Sequence, residues 1–549
     1  MQKSMNIILS LAKKEIIVFI AGMLLFTLGL VSYYKTNAIN SDDVAQKAII
    51  SQLALPVEVW VPADHFLLKA PINIVVDAFV HSPTKNIFIS SWFMNLISLS
   101  LFFLTVRYFL NKYADYKKLS TGFYLAFLYM CVMGGGFMAS LASPQYRNLE
   151  IGIAFGFLWF IDKYILLMAT TKITLKRLAL PLFGATMFGL FIYSDPAFFV
   201  YLAGPLAFTT AVYCLREQKY RTFMLPVAFL FAGLVFFGLF NKLFVIFGFH
   251  TYSVSAAFVP WDRFGSNLLS VFQSVLFLQN AHFFGLPVVA MSSMVVLLNA
   301  FLLSLVLIAF PLSLFRQKKY WITFMAIQPV FLLLAFVFSS AVYPNTTSVR
   351  YLVLLPFYGV VLTALAVERL TNSVKFVIYL LLSVAIIGNT VIITKNVAYI
   401  RHDHPNEYNQ KIARLIKDKE LEKGYAPYWN AGITGFWTDF KTDVFPVTYS
   451  KNPNEISPYY ININVVAMQK MANRSFIIVS NYPGILPETQ TEFQAQYSTQ
   501  EIFRAESARK QFGEPVEVLS VTQFTSIYIY NYDLLSKMKP RVDYTDAQQ

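Results

Sequence analysis

Two adjacent carboxylates, Asp42 and Asp43, lie in the phrase NAINSDDVAQ, shortly after the first long apolar run of the chain. Neighbouring carboxylates repel each other, so that one can hold a raised pKa while the other binds a cation or takes a proton from a hydroxyl group. A structural interpretation stays equally open, because Asp43 and Gln46, three residues later, fit a capping box at the start of a helix. The pair is the first candidate for general-base chemistry.

Basic residues elsewhere could bind an anionic group. His65 and Lys69 are four residues apart and share a face if their segment is helical, so together they could bind a phosphate; a lone interfacial histidine and a lysine with its stem along apolar surface explain them as well. Arg147 and Arg350 could bind phosphate oxygens through the planar guanidinium fork. Three further residues at the ends of apolar runs are candidate substrate contacts, or else simple anchors at the membrane rim: Asp195, Asp262 and Arg263.

The composition places these residues in a membrane protein. Of the 549 residues, 56% are hydrophobic and only 13% are charged, whereas soluble domains carry about 25% charged residues. The net charge of +14 lies in the apolar part, which holds 28 Lys and Arg against 13 Asp and Glu up to Ile400. Basic residues flanking apolar runs set membrane topology. A soluble protein is therefore excluded, and nucleic acid is not expected as a partner.

Eleven apolar runs are long enough to cross about 30 Å of hydrocarbon. Their approximate bounds are 16–34, 87–110, 120–140, 149–169, 178–194, 197–215, 222–248, 286–314, 321–341, 351–367 and 376–396. The N-terminus and every second connection are rich in Lys and Arg, which predicts that these lie in the cytoplasm. An odd number of spans then places the C-terminal segment outside a plasma (inner) membrane.

Three outer segments are longer than connectors need to be, namely 35–86, 249–285 and the tail from 398. The first outer loop, 35–86, contains two amphipathic stretches, 44–55 and 65–80, that predict helices along the membrane surface. The composition from 398 to 549 is that of a soluble domain, with a helical period at 404–423 and strand-like runs at 476–480 and 524–532. The fold class predicted is therefore a polytopic α-helical membrane domain, 1–397, followed by an extracytoplasmic α/β domain, 398–549.

Several kinds of chemistry have no support in the sequence. There is no Gly-rich phosphate loop, no Cys/His metal spacing and no nucleophile elbow. The charges within the predicted spans, chiefly Arg107, Asp162, Lys163 and Lys242, fall toward span ends, and Asp162 and Lys163 could neutralise each other. This distribution argues against an ion-coupled transporter, whose pathway needs ionisable groups inside the membrane.

The arrangement resembles the GT-C superfamily of integral membrane glycosyltransferases, which includes protein O-mannosyltransferases, aminoarabinose transferases and oligosaccharyltransferases. In that family an acidic motif follows the first span, in an outer loop that forms surface "jaw" helices, and SDDVAQ at 41–46 is similar to it. The resemblance implies transfer of a sugar from a polyprenyl-phosphate carrier to a glycan, lipid or protein acceptor on the outer face, with inversion at the anomeric carbon.

The resemblance also implies roles for individual residues. Asp42 or Asp43 would take the proton of the acceptor, and Arg350 would match the basic residue that neutralises the departing lipid phosphate. His65 and Lys69 would stand near the His-containing segment of the mannosyltransferase branch, although the His-Pro-Pro pattern is absent. The outer loops hold no second acidic motif of the Asp-x-Asp type, so that no cofactor is certain and a divalent cation remains open.

Two further questions stay open at this level. The aromatic residues Tyr428, Trp429 and Trp437 could stack on sugar rings of an acceptor, or they could belong to the core of the tail or its contact with the membrane. The alternatives to a transferase are a flippase for lipid-linked saccharides and a membrane-anchored binding protein whose outer tail recognises a partner.

Overall fold

The computed structural model is mainly helical and divides into two compact units. The first comprises Met1–Thr36, Ser90–Asn241 and Ala256–Ile400, and the second Asn37–Ile89, Lys242–Ser255 and Arg401–Gln549. The residues that the structure describes are 2–37, 39, 41–51, 59–62, 66–114, 116–144, 147–166, 175–217, 220–252, 257–287, 289–309, 319–339, 346–367, 369–398, 406–449, 455–460, 463–480, 504–522 and 525–538.

Helices occupy all eleven predicted apolar runs. In chain order, the helices in these runs are Gln2–Thr36, Pro83–Tyr113, Tyr116–Cys131 with Gly135–Ala142, Asn148–Phe160, Leu175–Ser194, Gly204–Glu217, Tyr220–Ile246, Met291–Ser304, Tyr320–Val337, Leu354–Val367 and Asn372–Ala398. Phe264–Leu278 is an additional helix, and π-helical segments at Ile161–Ile165, Phe199–Ala203 and Leu305–Ala309 adjoin three of the others. The predicted polytopic helical fold is therefore confirmed.

Fewer of these helices are long enough to cross a membrane by themselves. Within the described ranges, seven helices have the necessary length and hydropathy, and a pair bent by 76°, Ser120–Cys131 with Gly135–Ala142, would make an eighth if it forms one broken span. Leu178–Ser194 and Leu354–Val367 are apolar but shorter. The predicted number of eleven crossings consequently stays a prediction.

Small residues allow helices of the first unit to approach closely. A Cβ on Gly152 would lie 2.4 Å from Ser98 Cα, and the Gly152 N–H donates to Ser98 Oγ at 2.8 Å. A Cβ on Gly189 would lie 2.6 Å from the carbonyl oxygen of Gly233. Such contacts are typical of membrane helix packing, where van der Waals contact and interhelical hydrogen bonds replace hydrophobic burial as the main stabilising terms.

The pairing expected between Asp162 and Lys163 is not the one observed. Asp162 accepts hydrogen bonds from Lys112 Nζ at 2.6 Å and from Trp321 Nε1 at 2.7 Å, and two tyrosine hydroxyls also donate to it. Lys163 instead lies over the ring of Trp159, 4.7 Å from its centroid. Neighbours in sequence on a helix point in different directions, so the carboxylate finds its cation on another helix.

The second unit contains a six-stranded mixed sheet. Its strands are β3 (Lys423–Pro427), β4 (Asp443–Tyr449), β5 (Ile456–Pro458), β7 (Ser475–Ser480), β8 (Glu517–Ser520) and β9 (Thr525–Tyr530), in the order β5-β4-β3-β7-β9-β8. β3 is parallel to β4 and β7, whereas the other pairs are antiparallel. The helices of this tail are Glu407–Asp418, Tyr428–Trp437, Val465–Gln469 and Ala505–Phe512. This architecture agrees with the predicted α/β tail.

The first outer loop belongs to the same compact unit as the tail. It forms the helices Ser41–Ser51 and Phe66–Phe79, as its amphipathic patterns predicted. Strand β1 (Val59–Pro62) pairs in parallel with β2 (Phe249–Tyr252) and antiparallel with β6 (Ile463–Asn464), which joins three distant segments. The helix Ser41–Ser51 also packs against Tyr428–Trp437. Composition places a boundary at residue 398, whereas the contacts group the tail with the loop.

Candidate functional site

Three residues predicted to bind substrate meet in the first unit. Asp195 follows the helix Leu175–Ser194, Arg147 precedes the helix Asn148–Phe160, and Arg350 lies in the 3₁₀ segment Thr346–Tyr351. They are grouped around the ring of a tyrosine. We call Arg147, Asp195, Arg350 and Tyr351 the arginine cluster.

Arg147 and Asp195 form a buried ion pair. Arg147 Nε donates to Asp195 Oδ2 at 3.1 Å, and Nη2 donates to Oδ1 at 3.3 Å. The exposed fraction of the side chain is 8% for Arg147 and 0% for Asp195. Asp195 Oδ1 also accepts from the N–H of Ala197 at 2.9 Å, which is the helix-start interaction expected of a Ser-Asp-Pro phrase. The bidentate geometry holds Arg147 in one orientation.

Tyr351 lies beside both arginines. The guanidinium carbon of Arg147 is 4.6 Å from the centroid of the ring, and that of Arg350 is 5.2 Å from it. Arg350 Nη2 donates to the Tyr351 hydroxyl at 3.3 Å, and Tyr201 donates to the Tyr351 carbonyl at 3.2 Å. Arg350 is half-buried, whereas Arg147 is buried with its fork on Asp195. Of the two arginines, Arg350 is therefore the better placed to meet an anionic ligand.

An apolar cavity of about 630 Å³ lies in the same unit as this cluster. Val200, Phe331, Leu334 and Phe338 are among its lining residues. Val200 precedes Tyr201, whose hydroxyl bonds Tyr351, and Phe336, in the same helix end as Phe338, stacks on the Tyr351 ring at 5.4 Å. Two segments that line the cavity, Phe199–Ala203 and Tyr320–Val337, thus also contact Tyr351 through other residues.

In the second unit, polar residues follow helical spacing on two packed helices. Asp43 and Lys47 are four residues apart on Ser41–Ser51, and a similar series of three lies on Phe66–Phe79. We call these five residues the polar seam: Asp43, Lys47, Lys69, Asn73 and Asp77. Four of them are almost inaccessible to solvent, with exposed fractions of 3%, 4%, 0% and 1% for Asp43, Lys47, Lys69 and Asn73.

A hydrogen-bonded ion pair joins the two helices of the seam. Lys47 Nζ lies 2.5 Å from Asp77 Oδ1, and Asn86 Nδ2 donates to the same oxygen at 2.7 Å. Burial lowers the pKa of Lys47, although the carboxylate of Asp77 acts in the opposite direction. Burying a charge is costly unless it is paired and hydrogen-bonded. The pairing of Lys47 with Asp77 therefore allows these charges to lie inside the unit.

The structure refines the interpretation of Asp43. The helix begins at Ser41, so Asp43 lies within the first helical turn and not at the N-cap position of a capping box. Asp42 is in the same helix, but its side chain lies outside the described residues. Of the predicted pair, Asp43 is therefore the carboxylate whose surroundings are described.

The remaining predicted residues have different outcomes. Lys69 is fully buried, which excludes a stem lying along the surface with its charge in water. Asp262 and Arg263 are exposed in the 3₁₀ turn Trp261–Arg263. His65 and the side chain of Trp429 lie outside the described residues.

Sequence analysis missed Lys47, Asp77, Asn86 and Tyr351. Only the first two had a usable signal, because Lys47 and Asp77 continue the four-residue spacing of Asp43 and Lys69 in helices that are otherwise apolar.

The described residues provide no complete set of ligands for a metal ion. No group of three or more His, Cys, Asp or Glu side chains among them lies close enough to hold a metal ion. The divalent cation left open by the sequence thus has no assigned ligands, and no chemical step is derived through it.

Similarity to known proteins is confined to structure. No protein-family model matches the chain, and neither does any curated protein. The crystal structure of apo ArnT from Cupriavidus metallidurans matches with a TM-score of 0.53 and 10% identity, over 96% of this chain and 99% of that one. An Archaeoglobus fulgidus oligosaccharyltransferase, crystallised with zinc and sulfate, matches with a TM-score of 0.48 and 11% identity, over 94% of this chain and 73% of that one. The chain has the fold of ArnT, and the predicted polytopic membrane fold with a C-terminal α/β domain is confirmed.

Proposed function

We propose that this chain is an integral membrane glycosyltransferase, which moves a sugar from a polyprenyl-phosphate carrier to an acceptor on the outer face of the membrane. The observation that carries the proposal is the similarity of fold to ArnT along nearly the whole length of both chains. The proposal includes the orientation derived from the basic loops, with the N-terminus in the cytoplasm and the second unit outside.

The proposed reaction is a single displacement. An acceptor hydroxyl attacks the anomeric carbon and gives its proton to the carboxylate of Asp43 or Asp42. As the new C–O bond forms, the bond between the anomeric carbon and the phosphate oxygen breaks, and its electron pair leaves with the polyprenyl phosphate. The configuration inverts because attack and departure occur on opposite faces of the sugar.

The leaving phosphate gains negative charge in this step, and a preorganised cation stabilises it most in a site that excludes water. Arg350 is the proposed ligand, because it is half-buried and lies against Tyr351. Arg147 has a positioning role, since its bidentate bonds to Asp195 hold it against the Tyr351 ring.

The apolar cavity of the first unit suits the lipid part of the donor. Its volume of about 630 Å³ and its phenylalanine and aliphatic lining match an isoprenoid chain rather than a polar ligand. A polyprenyl chain bound there would lie in apolar surroundings, and the segments that line the cavity also contact Tyr351, beside which Arg350 lies.

Mass spectrometry of carrier lipids and surface glycans, in cells with and without the gene, tests the proposal. We expect the deletion strain to lose one glycan substituent and to accumulate polyprenyl-phosphate sugar, and the wild-type gene to restore both. Purified protein that moves a lipid-linked sugar across vesicles without cleaving the phosphate bond would instead identify a flippase. Unchanged glycans and carrier lipids, with function retained by the tail alone, would identify a binding protein.

A further inference from the structure

The helix Phe264–Leu278 has no counterpart among the eleven predicted apolar runs, and no part of the proposed mechanism uses it. We call it the additional helix. Its 15 residues extend about 22 Å, which is less than the roughly 30 Å of hydrocarbon in a bilayer. Between Arg263 and Arg316 the sequence contains no Asp, Glu, Lys or Arg. The additional helix is therefore apolar enough to lie in lipid but too short to cross it.

The additional helix ends at a defined turn. The N–H of Ala281 donates to the Leu276 carbonyl at 2.7 Å, and the N–H of Asn280 donates to the Phe277 carbonyl at 3.1 Å. Asn280 has a φ of 50°, in the left-handed region. These are the hydrogen bonds and the backbone conformation of a Schellman motif, which terminates a helix. The chain turns here and does not continue along the helix axis.

Asparagine side chains of two candidate membrane spans hold this end of the additional helix. Asn299 Nδ2 donates to the Asn280 carbonyl at 3.0 Å, and Asn280 Nδ2 donates to Asn389 Oδ1 at 3.0 Å. Asn299 and Asn389 exchange two further hydrogen bonds, of 3.2 and 3.1 Å, and both residues are buried. Hydrocarbon tolerates non-helical backbone only where protein groups satisfy it, and these amides do so.

The depth of the asparagines follows from their positions along the helices. Asn389 lies nine residues before the end of Asn372–Ala398, about 13 Å along the axis, and Asn299 lies eight residues after the start of Met291–Ser304, about 12 Å. Both belong to candidate membrane spans. The interfacial region on each side of the hydrocarbon is only about 5–8 Å thick, so Asn280 lies deeper than that region.

The charge pattern indicates that the additional helix does not carry the chain across the membrane. Two connections rich in Lys and Arg, 216–221 and 316–319, are both predicted in the cytoplasm. Two candidate spans between them, Met224–Ile246 and Met291–Ile308, already take the chain across and back. A third complete crossing would place one basic connection on the opposite side. The additional helix therefore begins and ends toward the same face.

One face of the additional helix is exposed and apolar. Leu268, Leu269 and Phe272 are exposed, at the spacing of a single helix face. The opposite face is buried and carries polar residues: Asn267, Ser270 and Ser274. Small and polar residues mark the protein-facing side of a helix in a membrane, where the other side meets lipid. Lipid acyl chains therefore suit the exposed face.

Asn267, on the buried face, caps a neighbouring helix of the first unit. Its Nδ2 donates to three backbone carbonyls at the end of Tyr320–Val337, at 3.0, 2.6 and 3.1 Å: those of Phe336, Val337 and Ser339. The last carbonyls of a helix have no partner within it, and a side-chain donor satisfies them. The additional helix thus fixes the end of Tyr320–Val337.

The same contacts reach the arginine cluster. Phe336, whose carbonyl Asn267 bonds, stacks its ring on Tyr351 at 5.4 Å. The additional helix also packs directly against Thr346–Tyr351, the 3₁₀ segment that carries Arg350. The position of Arg350 therefore depends on the additional helix along two routes.

We propose that the additional helix is re-entrant: it enters the membrane and ends at Asn280 within the hydrocarbon region, and the chain then returns to the face from which it came. In the proposed orientation this is the outer face. Lipid acyl chains cover the exposed side of the helix, and its buried side positions Arg350 for the leaving phosphate. The positioning role rests on the proposed transferase function, whereas the re-entrant course does not.

Spin-label electron paramagnetic resonance on the full-length protein in phospholipid nanodiscs tests the re-entrant course. Single cysteines replace Leu268 or Phe272, in a background where the two native cysteines are changed to Ala: Cys131 and Cys214. We expect both labels to be more accessible to oxygen than to a water-soluble nickel chelate. The label at Phe272→Cys should lie about 6 Å deeper than that at Leu268→Cys, because four helical residues separate them.

Reference labels and side-specific labelling complete this test. Leu380→Cys, exposed on Asn372–Ala398, is the lipid reference, and Lys441→Cys, exposed in the tail, is the water reference. Labels that behave like the water reference would overturn the proposal, and so would equal depths, which indicate a helix along the membrane surface. An impermeant maleimide should label Trp261→Cys and Val289→Cys from the same side of sealed vesicles. Labelling from opposite sides would identify a complete span instead.

A double-mutant cycle tests the positioning of Arg350. Asn267→Ala should lower kcat for sugar transfer by about tenfold or more with little change in KM, because the phosphate gains its charge only as the bond breaks. In an Arg350→Gln background, Asn267→Ala should have little further effect. Gln273→Ala, at an exposed position of the same helix, is the control and should transfer sugar at the wild-type rate.

Thermal unfolding in detergent identifies the variants that fold, and Asn267→Ser replaces Asn267→Ala if the latter does not. Effects of Asn267→Ala and Arg350→Gln that simply multiply would overturn the positioning role. If the labels report a re-entrant helix but the deletion strain keeps its glycans, the re-entrant course stands and the transferase fails. If glycans change but the two substitutions act independently, the transferase stands and the positioning role fails.

Discussion

Arg147 donates two hydrogen bonds to Asp195, of 3.1 and 3.3 Å, at a site from which solvent is almost excluded. Removing one partner of such a pair leaves an uncompensated buried charge, which typically costs about 3–5 kcal/mol. We therefore expect Arg147→Ala to lower the unfolding temperature strongly in detergent. The double variant Arg147→Met/Asp195→Leu should be closer to the wild type in stability. A double variant less stable than Arg147→Ala would contradict a role of the pair in positioning the cluster.

Substitution of Arg350 tests its proposed role in binding phosphate separately from any role in folding. Arg350→Gln should reduce sugar transfer by about 10²–10³-fold, which is the usual effect of losing one preorganised group that stabilises a developing charge. Arg350→Lys should retain part of the activity, because a point charge replaces a planar fork. The exposed Arg369 offers a matched control as Arg369→Gln. Wild-type turnover in Arg350→Gln would remove Arg350 from the mechanism.

Substitution of Asp43 tests its proposed role as the general base. Asp43→Asn keeps the shape of the side chain in its buried position but cannot take a proton, so transfer should fall by about 10²–10⁴-fold while expression and unfolding temperature change little. Asp42→Asn is measured in parallel, because either carboxylate is a candidate. The exposed Asp418, changed to Asn, serves as the control. Full activity in both single variants would rule out a base at this position.

The pKa of Asp533 leads to a prediction of how the stability of the second unit depends on pH. Burial raises its pKa, but hydrogen bonds from Lys423 Nζ at 2.8 Å, from the Tyr425 hydroxyl and from two backbone N–H groups outweigh burial and hold the pKa below the ordinary 3.8. The resulting stabilisation is complete above pH 3.8 and is lost as the pH falls through the lower, folded-state pKa.

Unfolding of the full-length protein across this acidic range provides the measurement. Asp533→Asn should lose this component of the pH dependence and should be less stable at neutral pH by about 3 kcal/mol, since Lys423 keeps a buried charge without its carboxylate. An identical pH profile in the variant would mean that other groups control acid unfolding.

Substitution of Gly152 tests the close contact between two helices of the first unit. A Cβ there would lie 2.4 Å from Ser98 Cα, a backbone atom that cannot move aside without displacing its helix. Gly152→Ala should therefore destabilise the protein by about 1–3 kcal/mol. At Gly265 a Cβ would meet no atom within 4 Å, so Gly265→Ala should be neutral or slightly stabilising. Equal unfolding temperatures for the two variants would argue against the packing seen at Gly152.

Local patterns predicted much of the fold. Apolar runs placed the helices, and the amphipathic stretches at 44–55 and 65–80 became Ser41–Ser51 and Phe66–Phe79. Short runs rich in β-branched and aromatic residues predicted strands at 476–480 and 524–532, where β7 and β9 lie. These features depend on residues close together in the chain, and so periodicity reports them directly.

Residue types alone also determined the list of chemically competent side chains, but not their partners. Asp162 has Lys163 as its neighbour in sequence, yet it binds Lys112 on another helix. Arg147, Arg350 and Asp195 entered the list as separate candidates, and only packing brought them around Tyr351.

The tertiary structure also decided what is buried. The helix Ser41–Ser51 packs against Tyr428–Trp437 and buries Asp43 and Lys47, which its amphipathic pattern alone did not indicate. The hydrogen-bonded pair of Lys47 and Asp77, to which Asn86 also donates, is likewise built from separate stretches of chain. Hydropathy and spacing are properties of single segments, whereas ion pairing, burial and cavity shape arise only when distant segments come into contact.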